Sequence, residues 1–392
     1  MGKSTGTIAM GIKAPIIRYG DDLEQILINS IEDAIKNDGI KLKDNDIIGI
    51  TEAVVAKSER NYAMLTDVAE DIKSKYDNEI GIVFPITSRN RFANILKAIA
   101  MSVDKIYIQL SYPSDEVGNK LIDEESVINA GINPYQDILT EQEFYQKFSD
   151  YKHEYTGVDY IQLYKEVTDG KAEIILANDP TAILNYTKDI LVADIHTREK
   201  TKQILTNAGA KTIYDLADIM NKPINGSGYN HDYGLLGSNL SSEDRLKLFP
   251  RDCNNFCEKI SKTIAKKFGV KMHVLVYGDG AFKDPTSGIW ELADPVVTPG
   301  FTNGLAGVPN EVKLKFLADN AQEGLTQDQL QAALKKEINR KSKTKNDTKA
   351  SGTTPRKIVD LLGSLCDLTS GSGDKGTPFV LIQGYFDNYA KE

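Results

Sequence analysis

An aspartate between two glycines is the residue best suited to metal chemistry in this sequence. It follows the apolar run of "VLVYGDGAFKDPTSGIWELADP", which predicts a strand, so Asp279 is expected at a strand end with open space around it. A carboxylate in that position can hold a divalent cation against a phosphate. The same loop continues with Lys283, Asp284, Glu291 and Asp294. An ordinary acidic loop is the alternative interpretation of this composition.

A glycine-rich loop near the C-terminus, "LTSGSGDKGTPFVLIQGY", contains the pattern GxGxxG at Gly371, Gly373 and Gly376. A dinucleotide fingerprint follows a strand and opens a helix. Here a predicted helix, "PRKIVDLLGSLCDL", ends at the glycines and an apolar strand follows them, so the order is reversed. Two interpretations remain: a surface turn, or an anion-binding nest of backbone N–H groups. The nest would also include Ser370, Ser372, Lys375 and Thr377.

Basic residues mark two further places where an anionic ligand could bind. Lys57 and Arg60 lie just after an apolar run in "TEAVVAKSER", where they are either ligand-binding cations or a solvated pair. A polar, basic tract with few apolar residues covers residues 335–357. Lys341, Lys343, Lys345 and Lys349 in this tract belong either to a solvated mobile loop or to a lid that closes over an anionic substrate.

The histidines and cysteines do not have the spacing of a zinc site. The four histidines, His153, His196, His231 and His273, form no HxH or HExxH motif. Cys253 and Cys257 are four residues apart on a predicted helix, which is typical of core thiols. The three cysteines are an odd and sparse set, which favours a reducing compartment, and we therefore expect a cytoplasmic protein.

Composition excludes other classes of function. The chain has 392 residues, a hydrophobic content of 41%, a net charge of -9 and a pI near 5.2. Nucleic-acid binding needs a basic surface, so this charge argues against it. No apolar run approaches roughly 20 residues, so we expect no membrane span. The expected partners are small molecules or proteins.

The elements that position these residues alternate between helices and strands. Apolar residues at helical spacing predict a helix from Leu23 that Gly39 stops, and "DIIGITEAVVAK" is interpreted as a buried strand. Between residues 62 and 220, helices alternate with the apolar runs "EIGIVFP", "DKIYIQL", "AEIILAN" and "DILVADI". This alternation predicts a mixed α/β fold.

Three stretches resemble one enzyme family. "GIKAPIIRYGDDLEQI" with "LKDNDIIGITEAVVAKSER" resembles the opening of the γ-glutamyl ligases that add glutamate to the deazaflavin coenzyme F-420. "YGDGAFKDPTSGIWELADP" and "SGSGDKGTPFVLIQGY" resemble that family's metal loop and its C-terminal glycine loop. The resemblance implies a γ-glutamyl ligase-like fold with a ligase core at residues 1–61 and 221–392 and an enlarged α/β insertion at residues 62–220.

The resemblance also assigns site residues by position. The implied nucleotide contacts are Ala14, Pro15, Ile16, Ile17, Lys57, Asn239, Ser370, Gly371, Ser372, Gly373, Asp374, Lys375, Gly376 and Thr377. Lys57 and Asp279 are the implied catalytic residues, and Asp279 is the implied metal ligand. The family's other metal aspartate falls on Leu236 in "DYGLLGSN", and Asp232 is the candidate that replaces it.

The implied activity is the joining of L-glutamate, or a similar amino acid, to an acidic acceptor. GTP or ATP would phosphorylate a carboxylate of the acceptor, and Mg²⁺ or Mn²⁺ would neutralise the phosphates. The family also implies a homodimer. A folate- or pterin-type acceptor is one alternative, and a non-catalytic nucleotide-binding regulator is another.

Overall fold

Helices and strands alternate through the part of the chain that the computed structural model describes, which comprises residues 6–89, 91–153, 157–278, 281–283, 290–292, 298–307, 326–341, 357–370 and 375–387. The strands are β1 Ile8–Ile12, β2 Ile47–Thr51, β3 Tyr62–Met64, β4 Glu79–Val83, β5 Lys105–Leu110, β6 Leu139–Thr140, β7 Ala172–Leu176, β8 Asp189–Val192, β9 Thr212–Asp215, β10 Asn239–Ser242, β11 Arg245–Lys247, β12 His273–Tyr277, β13 Ala281–Lys283, β14 Trp290–Leu292, β15 Gly300–Phe301 and β16 Phe379–Gln383. The helices are α1 Leu23–Asp38, α2 Glu52–Ser58, α3 Leu65–Lys73, α4 Phe92–Ser102, α5 Glu124–Asn129, α6 Glu141–Lys147, α7 Tyr160–Val167, α8 Arg198–Asn207, α9 Cys253–Phe268, α10 Gln327–Lys341 and α11 Ile358–Ser370. This confirms the predicted mixed α/β class.

A five-stranded mixed sheet joins the two ends of the chain in the order β1-β16-β2-β12-β15. β2 and β12 are parallel, whereas β16 runs antiparallel between β1 and β2. One face packs on α1 and α9 and the other on α11. A Cβ on Gly49 would lie 2.3 Å from the sulfur of Cys366, so only glycine lets α11 approach β2 this closely.

A six-stranded sheet is formed by the part of the chain between β3 and β10, in the order β6-β7-β5-β4-β8-β9. All of its pairings are parallel except that of the short strand β6. The four apolar runs that predict strands here are all confirmed as β4, β5, β7 and β8. Buried strands of this kind need covering on both faces, and the helices between them provide it.

A small sheet of order β10-β11-β3 packs against the core of the six-stranded sheet. Leu246 of β11 and its neighbour Ala63 of β3 are buried in the same cluster as the core of the six-stranded sheet. The opposite face of this small sheet is therefore directed away from that core.

The first predicted helix is confirmed, and the strand after it is only partly right. Asp22 accepts a hydrogen bond from the amide of Gln25 at the start of α1, and Gly39 ends it with a φ of 69°. The run "DIIGITEAVVAK" does not continue as a strand, because β2 ends at Thr51 and α2 begins at Glu52. No helix in the described ranges is both long and apolar enough to cross a membrane.

Candidate functional site

One end of the five-stranded sheet collects most of the predicted site segments. The register pairs Tyr277 with Thr51, Ile50 with Phe379, and Phe379 with Ile12. β1, β2 and β12 therefore finish at the end where β16 begins. We call this the carboxyl end of the sheet, and the loops that leave it are the normal place for ligands in open α/β sheets.

The two predicted nucleotide segments contact each other at this carboxyl end. The amide of Ala14 donates to the carbonyl of Gly376 across 3.0 Å. The hydroxyl of Thr377 donates to the carbonyl of Ser370, also across 3.0 Å, and so closes the glycine loop at its base. Gly376 has a φ of 65°, which a larger residue would adopt only with strain. The intervening residues Gly371, Ser372, Gly373 and Asp374 lie outside the described residues.

The segment from Ala14 to Ile17 presents a mixed surface. Ile17 is buried, whereas Ile16 is 88% exposed and Pro15 is exposed beside it. A large apolar side chain held in solvent at a predicted ligand loop offers a surface on which a planar base can pack.

Lys57 lies in the last turn of α2, the helix that begins at the carboxyl end. Its carbonyl accepts from the amides of Gly20 and Arg60, at 3.1 and 3.2 Å, so the backbone around it is fixed. Its side chain is half-buried. Within the described part of the chain, its ammonium group takes part in no hydrogen bond or ion pair, so its charge is available to a ligand.

A buried ion pair that sequence reasoning missed lies beside this helix. The ammonium group of Lys247 is 2.8 Å from a carboxylate oxygen of Glu52, and the two side chains are 12% and 2% exposed. A Cβ on Gly278 would lie 3.5 Å from Cγ of Glu52. The pair therefore lies next to the residue that precedes Asp279, and no local pattern around Glu52 or Lys247 indicates their contact.

The small sheet brings Asn239 next to Lys247 of the Lys247–Glu52 ion pair. Asn239 is directly opposite Lys247, which is directly opposite Tyr62, so the three side chains share one face. Asn61, which is fully buried, accepts from the amide of Tyr229 and donates to the carbonyl of Phe249. Asn61 thus fixes the loop that leads into β10. Asn239 at the start of β10 lies beside Lys247, whose ammonium group reaches Glu52 at the carboxyl end of the five-stranded sheet.

The two predicted metal ligands have different outcomes. Asp279 lies outside the described residues, directly after Gly278 in the chain. The carboxylate of Asp232 is 78% exposed beside His231. It lines a polar cleft of about 310 Å³ that also includes Arg251 and Asp252.

Leu236 is buried in the apolar core of the six-stranded sheet, where no metal ligand would be expected. Among the described residues, no three His, Cys, Asp or Glu side chains form a group that could hold a metal ion. Glu52 is a described carboxylate beside Gly278, and Lys247 already neutralises its charge.

A second carboxyl group, that of Glu59, is partly buried just after the end of α2. Burial raises the pKa of Glu59 to about 7, and the amide of Arg251, 2.7 Å from its carboxylate, opposes that rise. Arg251 also donates to the carbonyl of Glu59.

The other predicted residues have structural roles or stay untested. Cys253, Cys257 and Cys366 are buried free thiols, as the spacing of the first two predicts. The lysine tract is described only as far as the helix that ends at Lys341, and Lys343, Lys345 and Lys349 lie outside the described residues.

The fold and the carboxyl end define an α/β protein whose predicted ligand loops come from both ends of the chain. The sequence profile of the F420-0:gamma-glutamyl ligase family matches residues 11–384. The chain therefore belongs to this family, and the match covers nearly all of it, including the six-stranded sheet. A search of curated proteins gave no match to an individual protein.

Proposed function

We propose that this protein is a nucleotide- and divalent-metal-dependent ligase that joins L-glutamate, or a similar amino acid, to an acidic acceptor. The supporting observation is that Ala14, Lys57, Asn239 and Gly376 approach one end of one sheet while a γ-glutamyl ligase family matches residues 11–384 of the chain. Glycine loops and a lysine suit phosphoryl transfer, which needs positioning and charge more than a protein nucleophile.

The proposed reaction has two steps. An oxygen of the acceptor carboxylate bonds to the terminal phosphorus of GTP or ATP while the bond to the nucleoside diphosphate breaks. The glutamate amine then bonds to the acyl carbon, inorganic phosphate leaves with the electrons of the C–O bond, and the amine releases a proton to solvent. Lys57 would stabilise the charge that develops on the phosphate oxygens.

The nucleotide would lie against Ala14, Pro15, Ile16 and Ile17, with its phosphates over the loop from Ser370 to Thr377. The backbone contact between Ala14 and Gly376 holds these two segments together before a ligand arrives. Such preorganisation lowers the entropic cost of binding.

We also propose Mg²⁺ or Mn²⁺ at Asp279. The cation would neutralise phosphate charge during transfer. Asp232 remains the proposed second carboxylate. It is the acidic residue of the loop 229–239, and it lies four residues before Leu236. A homodimer is the proposed assembly.

Two identities are proposed for the acceptor: coenzyme F-420-0, or another acidic acceptor of the folate or pterin type. A non-catalytic nucleotide-binding regulator is a second candidate. The burial of Leu236 favours it, because that position offers no carboxylate for a second metal contact.

Phosphate release separates these proposals. With nucleotide, Mg²⁺ and glutamate present, we expect phosphate release that depends on adding the correct acceptor. Asp279→Asn and Lys57→Gln should abolish it, while Lys97→Gln, an exposed change on α4, should not. A regulator would instead show stabilisation by Mg²⁺ and nucleotide, measured as a rise in Tm, with no phosphate release for any acid.

A further inference from the structure

Four side chains next to the proposed site form a cation–aromatic cluster, defined here as Tyr19, Arg60, Tyr62 and Arg245. The guanidinium of Arg60 is 5.3 Å from the ring centre of Tyr19, and that of Arg245 is 5.8 Å from the same ring. Arg245 is also 4.7 Å from the ring centre of Tyr62, and the two rings are 5.4 Å apart. Two cations are therefore held close together by aromatic contacts.

The backbone fixes Arg60 in this cluster. Arg60 has a φ of 58°, and its amide donates to the carbonyl of Lys57. A Cβ on Gly20 would be 2.3 Å from Nε of Arg60, so the guanidinium lies directly against the backbone of a glycine. Arg60 is exposed and Tyr19 is 48% exposed, so a ligand can reach both.

Arg245 approaches from the small sheet. It is two residues from Lys247 on β11, so both side chains are on the face that carries Asn239. At about 3.3 Å per strand residue, Arg245 lies roughly 7 Å along the strand from the Lys247–Glu52 pair. Nε of Arg245 is buried and has no hydrogen-bond partner among the described residues. The cluster thus leaves a buried donor unsatisfied.

The cluster's charge is unusual for this chain. The protein carries a net charge of -9, yet here two arginines share one aromatic ring, with Lys57 on the same backbone turn. Like charges held together repel each other unless an anion lies between or beside them. Arginine forks also match carboxylate and phosphate oxygens in pairs.

We propose that the cation–aromatic cluster binds an anionic group of the acceptor, a carboxylate or a phosphate remote from the carboxyl group that reacts. This inference rests on the proposed function. Tyr19 follows the proposed nucleotide segment Ala14–Ile17 by two residues, and Arg245 reaches its ring from the small sheet. Lys247 of the same strand contacts Glu52 beside Gly278 at the end of β12. The cluster therefore adjoins the nucleotide segment without being part of it, and the acceptor, whose carboxyl group must meet the terminal phosphate, is the substrate expected there.

Direct anion binding by the whole protein tests the proposal without requiring turnover. Citrate serves as the carboxylate probe, glycerol 3-phosphate as the phosphate probe, and glycerol as the neutral control, each titrated by calorimetry at low salt. We expect at least one anion to bind, glycerol to give no signal, and Arg60→Gln and Arg245→Gln each to weaken anion binding by about tenfold. Lys97→Gln, the same loss of charge at an exposed site on α4, should leave binding unchanged.

Three results would overturn the proposal. The first is anion binding that survives in both arginine variants, and the second is binding that falls equally in Lys97→Gln. The third is a loss of GTP and ATP affinity in the arginine variants with anion affinity retained, which would assign the cluster to the nucleotide. If Arg245→Gln lowers Tm strongly, the exposed Arg60→Gln decides the outcome alone.

Failure of the proposed function is distinguishable from failure of this inference. If the protein binds the anion probes through Arg60 and Arg245 but releases no phosphate with any acid, the anion site is supported and the ligase proposal is wrong. If it ligates glutamate with an unchanged acceptor KM in both variants, the ligase proposal is supported and the anion site is wrong.

Discussion

The ammonium group of Lys247 is 2.8 Å from the carboxylate of Glu52, and both side chains are almost fully buried. The contact joins the small sheet to the helix that starts at the carboxyl end of the five-stranded sheet. It therefore fixes Asn239, which shares a face with Lys247, relative to Lys57, which follows Glu52 on α2.

Removal of one partner from this pair should destabilise the protein strongly. Lys247→Met leaves the Glu52 carboxylate buried without its cation, which typically costs about 3–5 kcal/mol. Urea unfolding measures the change in the free energy of unfolding. Lys105→Met is the matched control, because its partner Glu173 is 46% exposed and such pairs contribute less than about 1 kcal/mol.

The double variant Glu52→Gln/Lys247→Met should recover much of the loss, since it removes the buried carboxylate charge together with its cation. A double variant as unstable as Lys247→Met would show that packing, and not charge, is responsible.

A comparison of Gly20 with Gly118 distinguishes backbone strain from contact with Arg60, because the two glycines have similar backbone angles. Gly20 and Gly118 have φ of 78° and 83°, and only at Gly20 would a Cβ meet another group. Alanine at either position should cost about 1–2 kcal/mol, measured by urea unfolding. Only Gly20→Ala should also weaken binding of the anion probes. Equal anion affinity in both variants would mean that Gly20 does not position Arg60.

The pKa of Glu59 predicts a pH-dependent stability. Burial raises it to about 7, from 4.5 in the unfolded chain. At a pH between 4.5 and about 7, Glu59 holds a proton in the folded state that it has lost in the unfolded state. The contribution of Glu59 to the free energy of unfolding therefore falls as the pH rises to about 7. From pH 5 to pH 8, wild type should lose about 2–3 kcal/mol more than Glu59→Gln. Parallel pH profiles of the two proteins would refute the assignment.

Lys57 should contribute to nucleotide affinity through its charge. Lys57→Gln is expected to raise the Kd for GTP or ATP by roughly 10–100-fold, which matches the loss of a charge-assisted hydrogen bond. Fluorescence titration with a labelled nucleotide measures this, with Lys97→Gln as control. Equal affinities for the Lys57 variant and the control would exclude a phosphate contact.

Much of the fold was predictable because the signals are local. The apolar runs of β4, β5, β7 and β8 are short and bounded by polar residues, and Asp22 and Gly39 are typical ends of a helix. The error at residues 52–57 has an equally local cause. Val54, Val55 and Ala56 form an apolar run that fits a buried strand and a packed helix alike, and periodicity cannot separate the two.

The site was predictable only where its residues belong to continuous motifs. Ala14, Lys57 and Gly376 each lie in a stretch that resembles the family, and strand register then brings these stretches together. Glu52 and Lys247 were missed because each looks like a surface charge in its own segment. Only the approach of the small sheet to α2 buries them as a pair.

Mass spectrometry of the acceptor tests the central claim most directly. The protein is incubated with L-glutamate, Mg²⁺, GTP or ATP, and coenzyme F-420-0 or a folate as the acceptor. The ligase account predicts that one acceptor gains a glutamyl residue only when nucleotide is present, and that Lys57→Gln and Asp279→Asn prevent the gain. A glutamyl gain that occurs without nucleotide, or that persists in both variants, would contradict it.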